Sequence, residues 1–185
     1  MTELIIGEMK ESMEKAIQSF EKSLQKIRTG RASLALLDGI KVDYYGVATP
    51  LNQVATLSVP ESRLIVISPW DTSLVSAIEK AIQKSELGLT PSNDGKVVRI
   101  VIPPLTEERR KELAKIVKKM AEETRIKLRN FRRNANEQLK EAKKKGELAE
   151  DDMFQMQEKV QKMTDEFMEK VDAVLAAKEK EIMEI

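Results

Sequence analysis

Residues 106–146 read TEERRKELAKIVKKMAEETRIKLRNFRRNANEQLKEAKKKG, and this stretch decides the fold. Leu113, Val117, Met120, Thr124, Leu128, Phe131, Ala135, Leu139 and Ala142 recur at three- and four-residue intervals, the period of one face of an α-helix. Thr106 is placed to cap the start, with Glu107 and Glu108 set against the positive end of the helix dipole. Lys143, Lys144 and Lys145 followed by Gly146 mark the stop. The predicted helix has roughly 40 residues and is about 60 Å long at 1.5 Å per residue. A stripe of that length needs partners of similar length.

Both partners are legible. From about Glu150 onward the same spacing runs through Met153, Met156, Val160, Met163, Phe167, Val171, Val174 and Ile182, opening on Glu150, Asp151 and Asp152. From about Thr2 to Thr29 it runs through Ile5, Met9, Met13, Ile17, Phe20, Leu24 and Ile27, and Gly30 reads as a left-handed stop. The short link at Gly146 makes the last two helices antiparallel neighbours. Three such stripes predict an elongated, antiparallel three-helix bundle with a left-handed twist. The frequent Met residues read as core filling and carry no function.

Between Gly30 and Pro104 the period changes. Ile40, Val42 and Tyr44 alternate with polar neighbours, Arg63–Ser68 and Val97–Ile102 are β-branched strands, and Ala55–Val59 is a weaker strand. Thr72–Ser85 is amphipathic, and Asn93-Asp94-Gly95 is a turn. The fold class expected is therefore α+β in two domains. Residues 1–29 and 106–185 form the discontinuous bundle, and residues 30–105 form a small β/α/β sandwich-like domain inserted between the first and second long helices. The chain crosses between them twice, near residues 29–33 and 103–105, and these crossings are the hinge candidates.

Charge is distributed as unevenly as hydropathy. The chain sums to +1, yet residues 106–145 hold 15 Lys/Arg against 7 Asp/Glu, which is +8, and residues 146–185 hold 5 against 12, which is −7. Such asymmetry points to a polyanionic partner such as nucleic acid, with internal pairing of the two helices as the competing explanation. With no cysteine and no histidine, disulfides, thiolate metal sites and imidazole mechanisms are excluded. No phosphate-cradling glycine loop and no metal-ligand spacing of acids is present. The expectation is a non-enzymatic protein without cofactor or metal. The N-terminus lacks a signal or transit pattern and no apolar run approaches the ~20 residues of a membrane span, so a soluble, intracellular chain is expected.

On the basic helix, Lys111, Lys118, Arg125, Arg129 and Arg132 fall in one band beside the apolar stripe, and Arg133 widens it. Guanidinium forks at one-turn spacing can meet successive phosphates, with affinity that falls steeply with salt. Lys111 and Lys118 read as a solvated or salt-bridged face. Arg129, Arg132 and Arg133 read as a binding cluster, because no acid interrupts that half and Asn130, Asn134 and Asn136 add hydrogen-bonding groups. Arg110 lies closer to the apolar stripe and is equally a packed, structural arginine. Tyr44-Tyr45-Gly46 reads as an aromatic pair packing on its own sheet, and Trp70 as a plug of the small-domain core.

Three runs resemble the bacterial ribosome recycling factor family: R-T-G-R-A-S from Arg28 to Ser33 followed by L-L-D-G from Leu36 to Gly39, P-P-L-T-E-E-R-R from Pro103 to Arg110, and R-N-F-R-R-N-A-N from Arg129 to Asn136. The similarity runs the full length in the same order. It implies a two-domain, L-shaped, tRNA-like monomer of the cytoplasm whose bundle touches large-subunit ribosomal RNA in the post-termination ribosome. It further implies that elongation factor G with GTP acts with it to split the subunits and release mRNA and tRNA, and that the third initiation factor then keeps them apart. Arg110, Arg129, Arg132 and Arg133 match the family's basic positions, and with Arg125 they are the RNA-binding residues expected; Arg28, Gly30 and Arg31 match its first hinge, with Pro103 and Pro104 on the second crossing. Two departures stand out: Leu34 where a proline is usual, expected to loosen that segment, and Ala149 where a serine usually caps the third helix. The competing class is a structural or adaptor bundle with a protein partner and no RNA. Salt-sensitive binding to ribosomal RNA separates the two.

Overall fold

The computed structural model describes residues 1–184. Long apolar periodicities become long helices: α1, Thr2–Gln25, and later in the chain two helices of 38 and 34 residues, Glu107–Lys144 and Glu150–Met183. The stripe of the first of these buries Leu113, Val117, Thr124, Leu128, Ala135, Leu139 and Ala142, with Ala121 added. Met120 and Phe131 are half-buried at its margins. Each fully buried Leu or Val withdrawn from water contributes about 1.5–3 kcal/mol. Two threonines sit in the bundle core because their hydroxyls find partners one turn back. Thr124 donates to the Met120 carbonyl at 3.0 Å and Thr164 to the Val160 carbonyl at 2.7 Å.

The stop at Gly146 is a left-handed one, φ 73°. The Glu147 amide donates to the Ala142 carbonyl and the Gly146 amide to the Lys143 carbonyl, both at 3.0 Å, so orphan carbonyls of the last turn are satisfied. The chain then reverses into Glu150–Met183 and packs antiparallel. Ala149 occupies the N-cap with extended backbone and supplies no side-chain bond.

The region between the helices forms a hairpin, β1 Lys41–Tyr44 and β2 Val47–Pro50, and an antiparallel sheet of β3 Ala55–Glu61, β4 Leu64–Pro69, β5 Pro91–Asn93 and β6 Val98–Val101 in the order β3-β4-β6-β5. The helix α2, Val75–Lys84, follows a 3-10 turn at Thr72–Leu74 whose start is capped by Asp71, a carboxylate accepting from the Ser73 amide at 3.0 Å. With that numbering, Glu107–Lys144 is α3 and Glu150–Met183 is α4. Val42, Ile65, Ile67, Ile78, Ile82, Val98 and Ile100 form the centre of one apolar cluster. Strands β2 and β5 have no hydrophobic alternation of their own and were not predictable by period; pairing to β1 and β6 makes them strands.

Two expectations require correction. Trp70 is not a core plug: it is 69% exposed, and its Nε1 donates to Thr56 Oγ1 at 3.2 Å. Ile65, Ile67 and Pro69 take the buried side of β4, so the pleat sends the next residue to the opposite face. Gly30 does not stop the first helix either. α1 ends at Gln25, and Gly30 (φ 74°) is used where the chain passes Leu105: a Cβ there would lie 3.2 Å from Leu105 Cγ and 3.3 Å from its amide nitrogen. The helix unwinds four residues early and Thr29 is buried. Leu34 opens a 3-10 turn over Leu34–Leu37, capped by Ser33.

The chain divides into two compact units, Met1–Arg28 with Glu107–Glu184, and Thr29–Thr106. The smaller unit contains Gly30, Arg31, Pro103 and Pro104. Within it the Ala32 amide donates to the Ser62 carbonyl at 2.7 Å and the Ile102 amide to the Arg63 carbonyl at 2.8 Å, which fastens both incoming segments to the same β3–β4 turn.

Candidate nucleic-acid interface

Arginines on α3 follow one another at helical spacing, and their partners differ along the row. Arg125 is the most restrained. Its Nη2 lies 2.6 Å from Asp172 Oδ1 on α4 and its Nη1 3.3 Å from Glu122 Oε2, with the side chain 23% exposed. Arg129 Nη1 lies 3.0 Å from Glu122 Oε1, and its side chain is 42% exposed. Arg132 meets no carboxylate among the described residues: its Nη1 donates to the amide oxygen of Gln161 at 3.3 Å, and Gln161 Nε2 donates to Asp165 Oδ1 at 2.8 Å. Arg133 is exposed and makes no ion pair among the described residues.

The row therefore grades from doubly neutralised at Arg125 to uncompensated at Arg133. The hydrogen bond from Arg129, ahead of that from Arg125, holds the Glu122 carboxyl below the usual range. Asp172 in turn raises the Arg125 guanidinium. These groups remain ionised at neutral pH, and the phosphate-binding capacity of the face concentrates at its C-terminal half.

Among the other basic residues, Lys111 pairs with Glu107 at 3.2 Å, an exposed one-turn pair, and Lys118 is exposed. Arg110 is half-buried with Nε enclosed and without a hydrogen-bond partner, in keeping with a packed position. Lys143 reaches Glu150 at 2.8 Å across the α3–α4 turn. The acids of α4 thus neutralise α3 at particular points, Asp172 at Arg125 and Glu150 at Lys143. The grip of Glu122 on two arginines, and the contributions of Asp172 and Gln161, are not legible in the spacing of the row. Asp172 lies 47 residues beyond its partner.

Arg28 is exposed and Arg31 is exposed, each engaged in interactions of its own. On the hairpin, the Tyr44 and Tyr45 rings meet edge-on with centroids 4.6 Å apart. Tyr44 is half-buried, but Tyr45 is 85% exposed, because Tyr45 and Gly46 form the two-residue turn and both take positive φ. Among the described residues no group of His, Cys, Asp and Glu has the geometry to hold a metal ion, and no helix is long and apolar enough to cross a membrane.

A family model for Ribosome recycling factor matches residues 20–183. A ribosome-recycling factor of Syntrophus aciditrophicus is 65% identical over 185 residues, covering all of both chains. One of Desulfatibacillum aliphaticivorans is 60% identical over 184 residues, again covering all of both. A solution structure of the ribosome recycling factor aligns with a TM-score of 0.77 at 43% identity, over all of this chain and 98% of that one. A further structure presents models of the T. thermophilus ribosome recycling factor and the E. coli elongation factor G bound to the E. coli post-termination complex. It aligns with a TM-score of 0.64 at 45% identity over all of both chains.

Proposed function

The chain belongs to the ribosome recycling factor family, and from that premise we propose that it binds the post-termination ribosome through the α3 face of its bundle and, with elongation factor G and GTP, splits the ribosome into subunits, releasing mRNA and tRNA. The observation that carries this reading is the gradient along α3: among the described residues no carboxylate pairs with the guanidinium forks of Arg132 and Arg133, beside Arg129, while Asp172 and Glu150 of α4 pair with Arg125 and Lys143. That arrangement suits ribosomal RNA phosphates at one-turn spacing. The neighbour seen with elongation factor G on a post-termination complex supports the same partners.

In this reading Arg129, Arg132 and Arg133 carry the RNA contact, Arg110 packs, and Arg125 positions the row. The protein is a cytoplasmic monomer without cofactor and performs no chemistry itself; the GTPase partner supplies the work, and the third initiation factor acts downstream. The hinge lies where the units join, between Arg28, Gly30 and Arg31 on one crossing and Pro103 and Pro104 on the other. A cross-link between the units, in a chain with no native cysteine, should leave ribosome binding intact and suppress splitting until reduced.

The deciding experiment is cosedimentation with vacant large subunits across a salt series. Arg132→Ala should weaken binding and lower the slope of log affinity against log salt by about 0.9, with helix content unchanged. A folded Arg132→Ala protein that binds and splits ribosomes like the wild type removes this face from the mechanism. Salt-insensitive association would instead favour the adaptor reading, to which the Arg125–Asp172 and Lys143–Glu150 pairs lend the internal-pairing argument.

A further inference from the structure

Glu122 touches two members of the arginine row at once. One carboxylate oxygen lies 3.3 Å from Arg125 and the other 3.0 Å from Arg129. Lys118 and Lys119, one turn back on the same helix, make no ion pair with it among the described residues. Side chains of a helix lean toward its N-terminus, so Arg129 reaches back two turns to meet it. Arg125 has a second carboxylate, Asp172, and does not need Glu122 for neutralisation. Arg129 has Glu122 alone among the described residues, so the side chain that would offer a fork to phosphate already holds an internal anion.

We propose that Glu122 is a specificity-determining residue for RNA: it competes with phosphate for Arg129, depressing affinity for RNA at large while a surface that engages Arg129, Arg132 and Arg133 together offsets the displacement. The inference rests on the reading of this face as the ribosome contact. Glu122 acts through Arg129 and is itself half exposed, so its replacement leaves the core untouched.

The test is binding of a short labelled oligouridine and of vacant large subunits to Glu122→Gln protein, alone and combined with Arg129→Ala. Glu122→Gln should raise oligouridine affinity about two- to five-fold at low salt, the range of an exposed ion pair, and steepen the salt slope by about 0.7. The gain on large subunits should be smaller, so the preference for ribosomes falls. In the Arg129→Ala background the gain should vanish. Unchanged or weaker oligouridine binding, or an equal gain without Arg129, overturns the proposal. Arg132→Ala measured on large subunits in parallel reports on the face itself, so failure of that reading shows in a different arm from failure of the Glu122 inference.

Discussion

In the bundle, buried residues arrive at constant spacing from three helices; in the inserted unit they arrive from five of the six strands, one short helix and 3-10 turns, joined by turns that need particular backbone conformations. The bundle's core has polar members, Thr124 and Thr164, because a helix offers every hydroxyl a carbonyl one turn back. The inserted unit's core is aliphatic, and its polar side chains are spent on turns: Asp94 Oδ1 accepts from the amides of Lys96 and Val97 at 2.9 Å each, and Asp71 caps the 3-10 turn. Periodic burial leaves the whole outer surface of α3 available for charge. Turn-dependent burial ties stability to single backbone positions instead.

Core truncation should separate the two units most strongly. Ile78→Ala, at a fully buried site of the inserted unit, should cost about 2–5 kcal/mol and shift the transition seen by Trp70, the single tryptophan, while the helical ellipticity persists. Leu128→Ala in the bundle should do the reverse. One coincident transition moved equally by both variants would break the comparison. Next in size are the left-handed glycines. Gly30→Ala adds a crowded Cβ against Leu105 to the strain of a positive φ, and should exceed Gly146→Ala, where nothing lies within 4 Å and the cost is about 1–2 kcal/mol of backbone strain alone. Equal denaturant midpoints for the two variants would show that the Leu105 approach does not matter.

Smaller effects sharpen the contrast further. Ala149→Ser restores a side-chain acceptor at the α4 N-cap, where the backbone is already extended, and should stabilise the bundle by ~1 kcal/mol, raising Tm by about 2–4 °C. The smallest effect is pH-dependent. The backbone amides of Val97 and then Lys96, followed by the Arg99 guanidinium, hold the Asp94 carboxyl far below its ordinary range. A depressed folded pKa contributes stability that is full above the unfolded value of about 3.9 and is lost as pH falls toward the folded one. The inserted unit of the wild type should therefore lose stability in acid that Asp94→Asn does not lose, as read by Trp70 fluorescence. Parallel acid profiles for the two would remove Asp94 from the pH response.

The long helices, the Gly146 stop and the four strongest strand and helix patterns of the inserted unit were legible in the sequence because hydrophobic period and turn chemistry are local. So was the arginine row, since 100° per residue places Arg125, Arg129 and Arg132 together without reference to anything else. Strands β2 and β5 were not legible, being strands only by virtue of their neighbours, and Trp70 was misplaced because its apolar bulk was weighed above its parity with Ile65 and Ile67, which sends it to the opposite face. Nor did the row's residue types reveal which arginines are spent. That was decided by Asp172, Gln161 and Glu122, brought to the row by antiparallel packing and by side-chain reach along the helix. Spacing along the chain determines which side chains share a face. Contact in the folded chain, along the helix for Glu122 and across the bundle for Asp172 and Gln161, determines which of their charges remain to meet a partner, because a charge is cancelled by whatever lies within a few ångströms.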